Sequence, residues 1–366
     1  MLENLNEIII SLFIFLIVLF LYLHIQYQLK TSNEMEIYEI EQELSKEKME
    51  EICDLRQPIV LDTTEELLQL IPIFSKKSLL QKYSSYEIKI RNKKNIGTNE
   101  DLFIPLQMNI ADKLFMEDSL KNFYSENNTD FLCESGLIKN IKMCDSILKP
   151  HLTCNFSYDI LFGTSNVETP LRYEHNYRNY IMTTEGSVMI RLFPPKYNKY
   201  FNIEINYENL EYISDVNVWN AQEKYKLMMK KMKYLDVELP IGKILYIPAY
   251  WLYSIKLCED SSILTMKYRT YMNMIAISPT LVINLLQNQN IKINYLKKME
   301  LESIATKTKI EIVEDKVGDK VGDKVGEQFG EQFGEQFGEQ FEEKENKLNR
   351  EIEERGRIEL EIKEIE

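Results

Sequence analysis

The chain has 366 residues, 44% of them hydrophobic, with 22 Tyr and 16 Phe, which suffices for one well-filled domain with appendages or for two small domains. Its net charge is −14, and the acidic residues are concentrated in 33–51 and 311–366, so the stretch between them is close to neutral. This balance argues against a dedicated nucleic-acid surface, and no nucleic-acid partner is expected. Five cysteines without a Cys-x-x-Cys pair favour reduced thiols over a disulfide framework or a zinc site.

The first predicted element is an apolar helix near the N-terminus. Residues 8–23 are apolar except for Ser11, and the run extends to Ile25 if His24 is included. A helix of that length is about 27 Å long, close to the thickness of a hydrocarbon core. The sequence therefore predicts a single transmembrane helix at 8–25 and a lipid bilayer as a partner. The preceding stub carries acids and no Lys or Arg, which disfavours a cleaved signal peptide.

The sequence after this span is strongly charged. Lys30, Lys46 and Lys48 follow the span and no basic residue precedes it, which favours a body on the cytoplasmic side. Residues 33–51 predict a charged helix with Ile37, Ile40 and Leu44 on one stripe. Such a helix is either a short coiled-coil stalk or a solvated spacer, and the absence of sustained heptads favours the spacer.

The body is predicted to begin at residue 57 and to mix strands with helices. Its predicted elements up to residue 162 are a strand at 58–61, helices at 64–83 broken at Pro72, strands at 86–91 and 103–106, a helix at 110–125, a helical region near 130–149, and a strand at 156–162. Those that follow are a hairpin at 180–193 that turns at 184–186, an insertion at 200–238 with a helix near 220–234, strands at 244–247 and 262–268, and a helix at 281–298.

Two stretches carry a recognisable pattern. These are TPLRYEHNYRNYIMTTEGSVMIRLFPP, residues 169–195, and GKILYIPAYWLYSI, residues 242–255. Together they resemble the JmjC/cupin-like 2-oxoglutarate oxygenases, in particular the asparaginyl-hydroxylase type. In that family a Thr-Pro-x-His-x-Asp strand end precedes a hairpin, and the closing His ligand follows a Gly-Asp-x-Leu-x-Ile-Pro segment. The resemblance spans about 57–272 and implies a mainly β fold with flanking helices, a double-stranded β-helix (jelly-roll or cupin) barrel.

The residues that carry the family's chemistry differ here. Arg172, Glu174 and Tyr253 stand where the resemblance places the His, Asp and His ligands of iron. The family pocket positions for 2-oxoglutarate fall at Thr169, Val188 and Lys267, and Val188 stands in place of the Lys that pairs with its carboxylate. One extra residue before Gly186 leaves the register open, and a shift by one brings Tyr173 and His175 to the ligand positions without restoring a His-x-carboxylate pair.

A non-haem iron site needs two imidazoles and one carboxylate, and Arg172 would repel the metal. The chain has three His, of which His24 lies in the predicted span. His151 and His175 are expected to be ordinary hydrogen-bonded or exposed side chains. The sequence therefore predicts no catalytic residue, no metal site and no cofactor, with Arg172, Glu174 and Tyr253 forming a hydrogen-bonded cluster in the barrel mouth.

Three functions remain in view. The first is a membrane-anchored, non-catalytic binding or scaffolding module with an unknown protein partner. The second is a hydroxylase or demethylase that uses Fe(II) and 2-oxoglutarate with unusual ligands. The third is a pocket retuned to bind an anionic metabolite. The helix at 281–298 either supports a homo-oligomer, as in related enzymes, or packs against the barrel.

The C-terminal tail is of low complexity. It contains three DKVG and three EQFG tetrapeptides, and a Gly at every fourth position disfavours a helix by about 1 kcal/mol each, which predicts a linker. The predicted domain boundaries are a stub at 1–7, the transmembrane helix at 8–25, a charged juxtamembrane helix at 26–56, the cupin-like domain at 57–272, a helical extension at 273–310, the repeat linker at 311–341, and a charged helical or disordered tail at 342–366.

Overall fold

The structure, a computed structural model, describes residues 2–41, 45–98, 101–207, 209–258 and 260–290. The predicted linker and tail at 311–366 lie outside the described residues. The strands are β1 (Tyr38–Ile40), β2 (Ile59–Asp62), β3 (Glu87–Asn92), β4 (Ile104–Gln107), β5 (Phe123–Ser125), β6 (Thr153–Gly163), β7 (Leu171–Tyr173), β8 (Arg178–Glu185), β9 (Ser187–Phe193), β10 (Ile203–Asn206), β11 (Glu211–Ser214), β12 (Leu235–Pro240), β13 (Lys243–Pro248), β14 (Leu252–Leu257) and β15 (Ser262–Thr270).

Helices flank the strands. They are α1 (Leu2–Leu29), α2 (Lys46–Cys53), α3 (Glu65–Leu68), α4 (Ile71–Phe74), α5 (Lys76–Tyr83), α6 (Met108–Glu117), α7 (Thr129–Glu134), α8 (Ile138–Cys144), α9 (Glu223–Met229), α10 (Tyr271–Ala276) and α11 (Ser278–Asn290), with short 3-10 helices at Lys93–Asn95 and Pro195–Tyr200. Side-chain caps define several of these starts: Ser75, for example, accepts a hydrogen bond from the backbone N–H of Ser78 at the start of α5.

Two sheets form the body. The larger has the order β1-β2-β13-β8-β15-β6-β5-β3-β4, and the smaller has the order β10-β11-β7-β14-β9-β12. Alternation along β8 shows how they pack: Tyr180 and Met182 join the core beneath the helices, while Ile181 joins a second core with Ile190 and Ile255 of the smaller sheet. The mainly β barrel with flanking helices expected from the sequence is confirmed.

The prediction of a hairpin at 180–193 is wrong. Strand β8 pairs with β13 and β15 in the larger sheet, whereas β9 pairs with β12 and β14 in the smaller one. Gly186, with φ of +69°, is the corner at which the chain passes from one sheet to the other. The turn residues are those of a hairpin, so the sequence alone does not distinguish the two arrangements.

The stretch 200–238, predicted to be an insertion, forms part of the smaller sheet. It supplies β10, β11 and β12, and β11 and β12 pair directly with β7 and β9 of the smaller sheet. Its predicted helix near 220–234 is confined to Glu223–Met229. The abundance of Tyr and Lys in this stretch reflects strands that have one face in contact with solvent.

The charged helix predicted within 26–56 is also wrong in part. Residues 38–40 form β1, which pairs in parallel with 59–61, so backbone pairing overrides the helical spacing of the apolar residues. A helix begins only after Ser45, which accepts a hydrogen bond from the N–H of Lys48. Likewise the helix predicted at 110–125 ends at Glu117, since 123–125 form strand β5, which pairs with both β3 and β6.

The apolar N-terminal segment forms one long helix. Within α1, residues Asn6–Leu29 have a mean hydropathy of 3.0 over their most apolar window, and none of that window is buried in the protein. By length and composition this helix can cross a membrane, although a signal sequence at an N-terminus has the same features. It extends four residues beyond the predicted end at Ile25.

Candidate functional site

Inward-facing side chains meet at one end of the barrel. Arg172 and Glu174 come from β7 and the residue after it, Tyr253 comes from β14, and Lys267 comes from β15. Tyr253 lies directly opposite Arg172 in the β7–β14 pair. A cavity of about 420 Å³ opens beside them, and its lining includes Glu126, Asp159, Glu174, Glu211, Arg172, Lys267 and Arg269.

Glu174 is the centre of a cluster in which both of its oxygens are engaged. Lys267 Nζ lies 2.6 Å from Oε1, and the Tyr253 hydroxyl donates to the same oxygen at 2.6 Å. Asn176 Nδ2 donates to Oε2 at 2.5 Å. We name Glu174, Lys267, Tyr253 and Asn176 the Glu174 cluster. Burial disfavours the charge of Glu174, but the charge and hydrogen bond of Lys267 outweigh it, and the pKa of the carboxyl is lowered.

Arg172 does not pair with Glu174. Its Nη2 lies 2.7 Å from Oε2 of Glu126, whose other oxygen accepts from Arg91 at 2.7 Å. The same Arg91 also makes paired hydrogen bonds to Asp101 and to Glu211. Although burial opposes ionisation of Glu126, the charges of Arg172 and Arg91 lower its pKa to about 2. The sequence-predicted cluster of Arg172, Glu174 and Tyr253 is thus divided between two carboxylates.

Asp159, on β6, also lines the cavity. Its two oxygens accept hydrogen bonds from the backbone N–H groups of Asn127 and Asn128, each at 2.7 Å. Removal from water nevertheless raises its pKa to about 6, because these hydrogen bonds only partly offset the loss of solvation. Asp159 is therefore a carboxyl of this cavity whose pKa lies close to neutrality.

Two of the family pocket positions do not bring a charged group to the cavity. Thr169 is buried, and its hydroxyl accepts a hydrogen bond from the backbone N–H of Ile255 at 2.9 Å. Val188 is fully buried within the core between the two sheets. The carboxylate of 2-oxoglutarate would have no cation at Val188. Of the three positions, Lys267 alone lines the cavity, where it is paired with Glu174.

His151 and His175 are not members of the Glu174 cluster, although His175 lies between Glu174 and Asn176 in the sequence. His151 is exposed. His175 is half-buried, with its ring centroid 4.2 Å from that of Tyr212 and 5.0 Å from that of Tyr250. Burial, and then the charge of Arg269, lower the pKa of His175 to about 4, so this imidazole is neutral at physiological pH.

The residues present do not fit an iron ion. Across the part of the chain that the structure describes, no group of three or more His, Cys, Asp or Glu side chains could hold a metal. Glu174 offers a carboxylate, but a lysine ammonium and a tyrosine hydroxyl occupy the oxygen that a metal would need. Since Tyr253 has a pKa raised well above its ordinary value by burial and by Glu174, it remains a neutral phenol.

Sequence reasoning missed Glu126, Arg91, Glu211 and Arg269. Glu126 directly follows the three-residue strand β5, which lies in a segment that was predicted to be helical. The sequence therefore did not predict that the side chain of Glu126 faces the barrel interior. Arg91 could have been predicted from the sequence. Ile88 and Ile90 of the same predicted strand are buried on one face, so Arg91 lies on the opposite face, toward the barrel interior. A charged residue at an inward position of a strand is the signal that finds such a site.

The sequence matches a known family of domains. A family model described as a cupin-like domain matches residues 89–274, just over half of the chain and the part that holds the cavity. No curated protein matches the sequence significantly.

Proposed function

Since the chain belongs to the family of cupin-like domains, we propose that it is a membrane-anchored binding domain without iron or 2-oxoglutarate chemistry. The observation that carries the proposal is the Glu174 cluster. A fixed lysine charge 2.6 Å from the carboxylate, with the guanidinium of Arg172 on the strand that ends beside Glu174, repels a metal cation from this end of the barrel. An internal ion pair then stabilises the site in place of an ion.

The cavity beside the Glu174 cluster is the proposed binding site of this domain. A volume of about 420 Å³ falls within the range of small-molecule sites and also accommodates a few side chains of a protein partner. Its wall contains charges of both signs, so a polar occupant with both donors and acceptors suits it better than an apolar one. We propose a protein partner that inserts polar side chains here.

Helix α1 supplies the proposed anchor. Its exposed apolar surface is costly in water and is covered when the helix lies in lipid. The lysines at positions 30, 46 and 48 follow the helix, which supports an orientation with the barrel on the cytoplasmic side.

One observation favours a second candidate, an anionic small molecule. Arg269 lines the cavity and donates to Asn176 Oδ1 at 2.5 Å, yet among the described residues no carboxylate lies within 4 Å of it. If this charge binds an anion, inorganic phosphate or succinate raises the melting temperature of the wild-type protein. The Arg269→Gln variant loses that increase, and Lys139→Gln, a change of an exposed lysine, keeps it. Equal responses in all three proteins would dismiss the anion site.

Turnover tests the main proposal. Full-length protein in detergent is supplied with Fe(II), ascorbate and 2-oxoglutarate, and succinate is measured. The expected result is succinate at the level of the buffer alone, for the wild type and for Glu174→Gln. Succinate formed by the wild type and abolished in Glu174→Gln would overturn the proposal in favour of an oxygenase with unusual ligands.

A further inference from the structure

The last two turns of α1 dock on the barrel domain. Within the otherwise exposed helix, four residues are at least partly buried and recur at the spacing of one helical face, namely Leu21, His24, Ile25 and Gln28. Gln28 is only 8% exposed. Arg56, itself buried, lies over the ring of Tyr27 at 5.3 Å and over that of Tyr177 at 4.7 Å. The helix therefore does not leave the domain on a free tether.

A groove runs beside this contact. Its volume is about 480 Å³, and its walls combine the end of α1 with the turn before β6, the segment before β8 and the start of α10. The lining residues are Leu23, His24, Tyr27, Gln28, Glu50, His151, Leu152, Tyr177, Thr270 and Met272. At its edge two side chains project into solvent: Leu152 is 74% exposed and Tyr271 is 61% exposed. The backbone N–H of Tyr271 donates to the carbonyl of Leu152 at 3.2 Å, so the two form one patch.

The position of this groove relative to a bilayer follows from α1, which forms one of its walls. Leu23 and Tyr27 belong both to the groove and to the segment long and apolar enough to cross a membrane. The 28 residues of α1 span about 42 Å, more than a hydrocarbon core of about 30 Å, so its last turns reach the lipid headgroups when the rest is inserted. The groove then lies at the boundary between acyl chains and headgroups.

The side chains of the groove walls suit a position at the boundary between acyl chains and headgroups. Leucine and methionine side chains match acyl chains, and tyrosine is the residue that favours the interface, with its ring in lipid and its hydroxyl in water. The one carboxylate of the lining, Glu50, forms an ion pair with the buried Arg178. With this charge neutralised, the walls have no net attraction for an anionic headgroup, and a zwitterionic lipid satisfies them.

We propose that this groove and the patch of Leu152 and Tyr271 are a lipid-binding surface. An acyl chain of the leaflet in which α1 ends fills the groove, and the patch enters the interface, so that the membrane holds the barrel domain in one orientation. This inference rests on the proposed anchoring by α1. Beyond that anchoring, the barrel domain itself contacts the bilayer, at a surface separate from the cavity beside Glu174.

The test uses full-length protein in nanodiscs of phosphatidylcholine, with or without bromine on the acyl chains. A tryptophan is introduced at the patch by Leu152→Trp and, separately, by Tyr271→Trp. The control is Leu227→Trp on α9, a residue of the same 74% exposure on the helix that packs against the smaller sheet. The signal is the emission of each variant after subtraction of the parent protein, which contains Trp219 and Trp251.

Bromine is expected to quench the added tryptophan of both patch variants by about half or more, because an interfacial apolar side chain reaches about 5–10 Å into the lipid. The control should be unaffected. If the protein stays in the bilayer after alkaline carbonate but the patch variants are quenched no more than Leu227→Trp, the lipid-binding surface is wrong and the anchor stands. If carbonate releases the protein from lipid, both the anchor and this surface are wrong.

Discussion

Glu174 shows how single residues decide what the barrel mouth can bind. The carboxylate is largely buried, with 13% of its side chain exposed, and its charge depends on Lys267. Because its folded pKa is lowered, the pair contributes stability that is present above the unfolded pKa of about 4.3 and is lost as the pH falls through the folded pKa. The ion pair that we propose to exclude a metal therefore also stabilises the fold at neutral pH.

Replacing Lys267 by Met should therefore be costly at pH 7. The change leaves a buried carboxylate without its counter-charge, and the free energy of unfolding is expected to fall by about 3 kcal/mol. Urea unfolding measures it, and adding Glu174→Gln should recover part of the loss. The control Lys48→Met removes an exposed pair with Glu51 and should cost less than about 1 kcal/mol. Equal stability of Lys267→Met and the wild type would contradict the ion pair.

His175 gives a prediction with a defined pH window. Its pKa is about 6.5 when unfolded and about 4 when folded, so between these values the unfolded chain binds more protons. Stability attributable to the neutral imidazole is then present above pH 6.5 and is lost as the pH falls toward 4, by about 2–3 kcal/mol. Urea unfolding at pH 7 and pH 4.5 should show a smaller loss for His175→Phe than for the wild type. The exposed His151, changed to Gln, should behave as the wild type, and parallel pH profiles for all three proteins would refute the shift.

Among single residues, the sequence identified part of the site. Arg172, Glu174, Tyr253 and Lys267 were found because they occupy positions in a known pattern, and all four line the barrel mouth or its core. The partner of Arg172 was not predictable, since it is Glu126, a residue that follows a short strand distant in sequence. Spacing along one strand carries no information about which carboxylate approaches from another.

At the scale of elements, the close approach of β5 and β6 holds Glu126 in place. Gly163 pairs with Tyr124, and a Cβ at Gly163 would lie 2.7 Å from the Cβ of Tyr124 and 2.8 Å from its Cα. Because one of these atoms is backbone, the strands can accommodate a methyl group only by moving apart. The cavity wall that begins at Glu126 would move with them.

Gly163→Ala should accordingly destabilise the fold by about 1–3 kcal/mol, the usual cost of overpacking. Urea unfolding measures this cost. Ser157→Ala changes an exposed residue of the same strand and should stay within about 0.5 kcal/mol of the wild type. A Gly163→Ala variant as stable as Ser157→Ala would show that the two strands are less closely packed than the structure indicates.

Elements were predicted well where their pattern is local. The strands at 58–61, 86–91, 244–247 and 262–268 appear with bounds shifted by one or two residues. Failures occurred where distant pairing decides. Residues 38–40 become a strand only because 59–61 lie beside them, and Gly186 is a corner only because its two strands find partners in different sheets.

For the whole molecule, the fold class and the apolar helix were predictable, because one followed from a family pattern and the other from composition. The docking of α1 on the domain was not predictable, since its four partly or fully buried positions lie at the end of a run that is apolar on every side up to Leu23. A hydrophobic stretch has no distinct face by sequence until another surface covers it. The position of the anchor against the barrel is therefore information that only the structure provides.

The central claim concerns the whole molecule: we propose that its own ion pairs occupy the positions at which the resemblance to 2-oxoglutarate oxygenases places the iron ligands. Calorimetric titration of Mn(II), with and without 2-oxoglutarate, into the full-length protein in detergent tests it most directly. The variant carrying Arg172→His and Tyr253→His, which places imidazoles at two of the three positions, serves as comparison. The account predicts no saturable heat from the wild-type protein at millimolar ligand. Saturable one-to-one binding of Mn(II) by the wild-type protein would contradict it.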